Sequence, residues 1–364
     1  MSILTVDVVA PGWEPVRDAF VQGFELGEDH GAGVSIYHRG KCVVDLMGGW
    51  RNRDHTDPYS PDSLQLVFST TKGITSIAVA MCVERGLLNY DEKVATYWPE
   101  FAAKGKQDVT VAQLLSHRAG LYTVEGDITL EEALHWDTIT SRLADTAPFF
   151  PVGTTHGYHA ITFGWLAGEL VRRVTGMSLG AFVRSNIVEP LGVEFHIGLP
   201  EELEPRVARL MAHPIPKFPP DVAKQMMERS GPGTRGAAAL GLNGAFGPGA
   251  FNLPAVHQAE IPGANGIGNA RSLARIYSAT VSHVDGIRLL GDEARDRART
   301  SNTPQGEVDA VLIDETDFGM GFMVYSPYTE YSGPSSFGHN GAGGSVAFAE
   351  VRRELAFAYV MNTM

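Results

Sequence analysis

The sequence predicts an α+β protein, an antiparallel β-sheet flanked by helices into which a mostly helical domain is inserted. Three observations lead to that architecture. Short strand-like runs lie near both ends of the 364-residue chain, period-two alternation is largely missing between Asp91 and Ala264, and the terminal runs are joined by hairpin signals at Arg39-Gly40 and Arg352-Arg353-Glu354. One sheet assembled from both termini, with the helical insertion beside it and a cleft at the junction, accounts for all three. The boundaries drawn from this pattern put residues 1–90 and 265–364 in the sheet domain and 91–264 in the helical one, with a Pro- and Gly-rich loop over 214–264.

Taken in order, Trp13, Val16, Phe20 and Phe24 recur at helical spacing after Pro11-Gly12 and predict an amphipathic helix. Val34 to His38 and Lys41 to Leu46 are β-prone runs with Arg39-Gly40 between them, and Gly48-Gly49 closes the pair. A polar loop rich in Asp and Pro leads to Leu64–Phe68, then to Ser69. Beyond it Ile74, Ile77, Met81 and Val83 fit a buried helix that stops near Gly86. Helical patterns follow at Val111–Ser116, Leu130–Leu143, Ile161–Val174 and Leu179–Ile187. The density of Pro and Gly from Pro214 to Ala264 predicts a long surface loop or lid. Ser272–Ser278 is helical again, and Gly319–Tyr325, Ser345–Val351 and Leu355–Val360 read as strands.

Composition narrows the function classes. The net charge of −13 repels phosphate backbones, so nucleic acid is not the expected partner. The start of the chain, MSILTVDVVAPGWEP, lacks a basic stretch followed by an apolar one, and the most apolar run, Ile74 to Val83, is far too short to span a bilayer. A soluble cytoplasmic protein is expected, acting on a small molecule without a cofactor. Cys42 and Cys82 show neither ligand spacing nor a disulfide framework and read as buried reduced thiols. His156 and His159 could begin a metal site, but no matching third ligand cluster stands out.

The strongest chemical signal is Ser69-Thr70-Thr71-Lys72 at the opening of a helix. Residues i and i+3 share a helix face, which brings the amine within reach of the hydroxyl. A serine hydroxyl is a weak nucleophile and an ordinary lysine is protonated at neutral pH, so such a site must lower the lysine pKa. The competing reading makes Ser69 a helix cap and Lys72 a solvated side chain. A second motif, Gly176-Met177-Ser178-Leu179-Gly180, matches the G-x-S-x-G elbow. An elbow serine follows a strand, however, and here the preceding run is helical. Gly176 then ends one helix and Ser178 caps the next.

The runs Leu66-Val67-Phe68-Ser69-Thr70-Thr71-Lys72-Gly73, Glu84-Arg85-Gly86-Leu87-Leu88, Tyr97-Trp98-Pro99-Glu100-Phe101 and Leu114-Leu115-Ser116-His117-Arg118-Ala119-Gly120-Leu121 together resemble the β-lactamase-like serine hydrolases. That superfamily takes in class C β-lactamases, penicillin-binding proteins and family VIII carboxylesterases, and the resemblance is greatest to the last. It implies a β-lactamase/transpeptidase-like fold with Ser69, Lys72 and Tyr158 as the catalytic group, the phenol relaying protons where a neighbouring lysine cation would favour phenolate. It implies an oxyanion hole formed by the backbone N–H groups of Ser69 and Ala342. Around that hole it implies substrate contacts from His339, Asn340 and Gly341, with His156 and His159 shaping the cleft wall and touching substrate beside Tyr158. His117 is expected to serve a loop or helix-end hydrogen bond.

Two departures from the lactamase pattern point toward esters. Ala160 stands where the Tyr-x-Asn motif keeps its amide, and His339 stands where Lys-Thr-Gly keeps a permanent cation. Hydrolysis of short-chain carboxylic esters is therefore expected ahead of β-lactam hydrolysis, D-amino-acid peptide amidase activity or acyl transfer; a non-enzymatic alternative is an inactive binding protein on this fold. The family usually adds a helix after the last strand, whereas this sequence stops at Asn362-Thr363-Met364, so the resemblance expects residues beyond those given or another cover for that sheet face.

Overall fold

The computed structural model describes residues 3–212 and 219–364. Eleven strands occur among them: β1 (Leu4–Val9), β2 (Gly31–His38), β3 (Lys41–Gly49), β4 (Leu64–Leu66), β5 (Phe195–His196), β6 (Val207–Ala208), β7 (Ile267–Gly268), β8 (Met323–Val324), β9 (Ser336–Asn340), β10 (Val346–Glu350) and β11 (Leu355–Met361). Seven form an antiparallel sheet in the order β1-β3-β2-β11-β10-β9-β8, so the chain's two ends interleave, with β11 seated between β2 and β10. The β2–β3 turn places Arg39 at φ +51° and Gly40 at φ +75°. Two successive positive φ values are what a two-residue hairpin matched to strand twist requires.

The sheet is covered on both faces. On one side α1 (Glu14–Glu25) buries Phe20 against Val34, Ile36, Val44 and Leu46. On the other, the helix Ala270–Val281 packs on β2, β10 and β11. Strand β11 shows the consequence at period two: Ala356, Ala358 and Val360 are buried under that helix, while Leu355, Phe357 and Tyr359 on the α1 side are half-buried. Beyond the sheet, α2 (Thr71–Glu84) runs through the middle of the molecule with twelve of its residues buried, Lys72 among them, and packs on the helix Thr162–Thr175.

Several expectations need correction. Strand β1 went unread because its burial alternates weakly on an edge, and β5, β6 and β7 are two-residue strands too short for a pattern. The helix expected over Leu130–Leu143 is two, Leu130–Leu134 and Trp136–Asp145, broken where His135 adopts ψ 109°. The expected strand Gly319–Tyr325 shrinks to Met323–Val324. In the expected loop, residues 214–218 lie outside the described residues, but the remainder holds helices at Pro220–Ser230, Arg235–Gly241 and Pro254–Gln258. Two of these begin on proline, and Thr234 caps the third by accepting from Ala237 N at 3.1 Å. Pro and Gly bound short helices here rather than forming one irregular loop. Cys82 is buried as expected, but Cys42, on the β3 edge of the hairpin, is exposed.

Candidate active site

Ser69 sits at the turn between β4 and α2. Backbone pairing fixes the approach: Val67 N donates to Gly266 O (2.9 Å), and Phe68 takes φ +45° immediately before the serine. That left-handed backbone is uncommon for an aromatic residue, and it turns the chain sharply into the helix. Lys72 follows one turn later and is fully buried. Its Nζ meets Ser69 Oγ at 2.9 Å, Ala160 O at 2.5 Å and Gly263 O at 2.7 Å. No carboxylate pairs with it among the described residues. Burial alone pushes its pKa well below the ordinary lysine value. The reading of Lys72 as a solvated side chain is thus excluded.

The Tyr158 ring lies beneath the amine, its centroid 4.8 Å from Lys72 Nζ. Burial raises the phenol's pKa far above its usual value, and the neighbouring Ser69 hydroxyl only partly offsets this. The phenol is therefore protonated at rest, not the phenolate that a lysine cation would have favoured. Its backbone N–H donates to Asp309 Oδ1 at 3.1 Å, and the same carboxylate accepts from Val311 N, Leu312 N and Thr316 Oγ1. Asp309 was not legible as a site residue, because a carboxylate that caps a loop 151 positions away carries no local motif.

After β9 the chain makes a tight turn through Gly341 to Ser345 that is stitched to the serine turn. Ser345 Oγ donates to Val67 O (2.8 Å), and Thr70 Oγ1 lies 3.2 Å from Ser345 Oγ. A Cβ on Gly341 would meet Val67 O at 2.4 Å, so only glycine permits this approach. The Ala342–Gly344 segment that follows is exposed, and Asn340 is half-buried at the strand end.

The three histidines expected to touch substrate are all buried. His159 donates from Nδ1 to Gly157 O (2.6 Å) and accepts at Nε2 from Leu121 N (2.9 Å), so both nitrogens are used. His156 donates to Glu307 Oε1 (3.1 Å) and meets Thr316 Oγ1 (3.0 Å), pinning the 303–317 segment to the tyrosine strip. His339 donates to Asn340 O (2.7 Å) and packs near the Tyr158 ring at 6.0 Å. Burial holds His159 and His339 down at about 3, so neither is a cation at neutral pH. These bonds hold the three rings in place beside Tyr158, and His339 Nε2 is left without a hydrogen-bond partner among the described residues. Ser178, the rival nucleophile, caps the helix Leu179–Val183 and donates to Glu260 Oε1 at 2.6 Å, with no imidazole bonded to it among the described residues. No cluster of three potential metal ligands occurs among the described residues.

Comparison with known proteins identifies the family. The Beta-lactamase family matches residues 17–364. The chain is 35% identical to the Esterase/beta-lactamase LipL of Mycobacterium tuberculosis, over 97% of this chain and 82% of that protein. The crystal structure of a family VIII carboxylesterase superposes with a TM-score of 0.87 at 36% identity, covering 98% of this chain and 93% of the other. A penicillin-binding protein homolog from Caulobacter crescentus gives 0.86 at 37% identity, covering 100% and 94%. No helix among the described residues is long and apolar enough to cross a membrane. The chain belongs to the beta-lactamase family and is a serine hydrolase of that fold, close to the family VIII carboxylesterases.

Proposed function

We propose that the protein hydrolyses short-chain carboxylic esters through an acyl-enzyme on Ser69, with Lys72 and Tyr158 as its acid–base pair. One observation carries the reading: a fully buried amine, depressed in pKa, touches the serine hydroxyl at 2.9 Å while two backbone carbonyls hold it. A neutral amine has two hydrogens and one lone pair. The hydrogens go to Ala160 O and Gly263 O, which leaves the lone pair facing Ser69. Lys72 then takes the serine proton as Oγ attacks the ester carbonyl, and the ammonium so formed finds three acceptors already in place.

The developing oxyanion is received by the backbone N–H groups of Ser69 and Ala342, where one such donor is commonly worth about 3 kcal/mol of transition-state stabilisation. The alkoxide leaves with a proton delivered through the protonated Tyr158 phenol. Water, deprotonated by the same pair, next attacks the acyl-serine and regenerates the hydroxyl. Esters are favoured over β-lactams because a buried neutral His339 supplies no cation for a lactam carboxylate, and the methyl side chain of Ala160 supplies no amide for a lactam side chain. The test is hydrolysis of p-nitrophenyl butyrate alongside nitrocefin. The parent should turn over the ester far faster, Ser69→Ala should abolish turnover with an unchanged melting curve, and Ser178→Ala should be silent. Full ester hydrolysis by Ser69→Ala would reject the assignment.

A further inference from the structure

Three consecutive peptide N–H groups around the tyrosine are each captured. Gly157 N donates to His117 O at 3.0 Å, Tyr158 N to Asp309 Oδ1 at 3.1 Å, and His159 N to His117 Nδ1 at 3.0 Å. A single residue from another part of the chain thus holds the backbone on both sides of the phenol-bearing position. It does so from a left-handed conformation, φ +62°, which histidine and asparagine adopt more readily than most side chains. In that conformation the carbonyl and the imidazole of one residue both reach the same three-residue strip.

The ring adds a third contact. His117 is fully buried, with its centroid 5.0 Å from the Tyr158 ring, 4.3 Å from Phe318 and 5.2 Å from Phe163. Because Nδ1 accepts, the proton of the neutral ring resides on Nε2, which lies among these aromatic faces and finds no polar partner among the described residues. His117 makes no hydrogen bond to Ser69 or Lys72, so a direct part in proton transfer is not what the geometry offers.

We infer that His117 is a positioning residue for Tyr158: by accepting the peptide N–H groups on either side and packing its ring on the phenol ring, it aims the hydroxyl at Ser69 and Lys72. The inference rests on the reading that Tyr158 acts in ester hydrolysis. Displacing a reacting group by about 1 Å can cost on the order of a hundredfold in rate, so such a residue should govern kcat without touching substrate.

Asparagine and glutamine separate the roles of the two ring nitrogens. The Asn amide oxygen falls near the place of Nδ1 and tolerates positive φ, whereas the Gln amide lies further out, near Nε2. The full chain is assayed on p-nitrophenyl butyrate as His117→Gln, His117→Asn, Tyr158→Phe and the double variant His117→Gln/Tyr158→Phe. His117→Gln should lower kcat on the order of a hundredfold with KM within about twofold of the parent. His117→Asn should restore most of the loss, and the double variant should be no slower than Tyr158→Phe alone, since an unaimed phenol and an absent one are equivalent.

Parental kcat in His117→Gln, with Tyr158→Phe impaired, overturns the inference, as do losses that multiply in the double variant. Parental kcat in Tyr158→Phe removes the proposed function itself, and the role of His117 with it. If the glutamine variant does not fold, His117→Asn alone decides: activity near the parent's supports the aiming role, and activity as low as Tyr158→Phe's overturns it.

Discussion

At the scale of single residues, the behaviour of Lys72 follows from what surrounds it. Burial without a paired carboxylate depresses its pKa, so the amine takes up a proton at a lower pH than a solvated lysine does. Activity should therefore hold as pH falls through the ordinary lysine range and be lost only as pH drops through the depressed value, where the base is protonated. A kcat profile against pH checks this, and an acid limb near pH 10 contradicts it. Lys72→Arg tests the same point from the other side, because a guanidinium does not deprotonate in proteins. Loss of kcat by roughly a thousandfold, the span of general-base contributions, is expected at every pH. The serine and lysine were legible because side-chain identity and helical spacing both appear in the sequence. Ala160 O and Gly263 O were not, since backbone carbonyls leave no signature. The burial of His156, His159 and His339 was not legible for a related reason: whether a polar residue in a motif is internal depends on elements that pack over it from elsewhere, such as the 303–317 segment.

At the scale of elements, the helix Thr162–Thr175 meets the Pro262–Gly263 backbone through a glycine. A Cβ on Gly164 would lie 2.0 Å from Gly263 N and 2.6 Å from Pro262 C, both backbone atoms that cannot move alone. Gly263 is also the carbonyl that holds Lys72 at 2.7 Å. Gly164→Ala should consequently do two things at once: destabilise by about 1–3 kcal/mol, as overpacking does, and lower kcat by pushing that carbonyl off the amine. Thermal melting and steady-state kinetics on one preparation test the pair, and a variant that loses stability while keeping its kcat would show that the contact does not position Lys72. The hairpins were readable from Arg39-Gly40 and Arg352-Arg353-Glu354 because turn chemistry is local. The helices between Pro220 and Gln258 were not, because the proline that opens a helix and the proline that interrupts a chain look alike until packing decides.

For the molecule as a whole, the decisive feature is that the central strand comes last. β11 pairs with β2 through seven residue pairs, from Leu355 opposite His38 to Met361 opposite Ala32, and with β10 on its other side. A chain ending before Leu355 should lose cooperative unfolding altogether, because β2 and β10 would lose their shared strand partner and only the helix Ala270–Val281 would still touch both. Circular dichroism during heating decides this, and a sharp transition near the parent's temperature contradicts it. Long-range pairing of this kind was inferable in outline from strands at both ends, but its order was not, since sequence gives strands without neighbours.

The lysine's three holders have a corollary of their own. They come from the turn that opens α2, from Ala160 two residues before the helix Thr162–Thr175, and from the segment entering β7. A nascent or half-assembled chain lacks at least one of them, and its amine stays solvated, charged and harmless. On the proposed mechanism, Lys72 becomes a base for Ser69 only once the last of these distant pieces has docked.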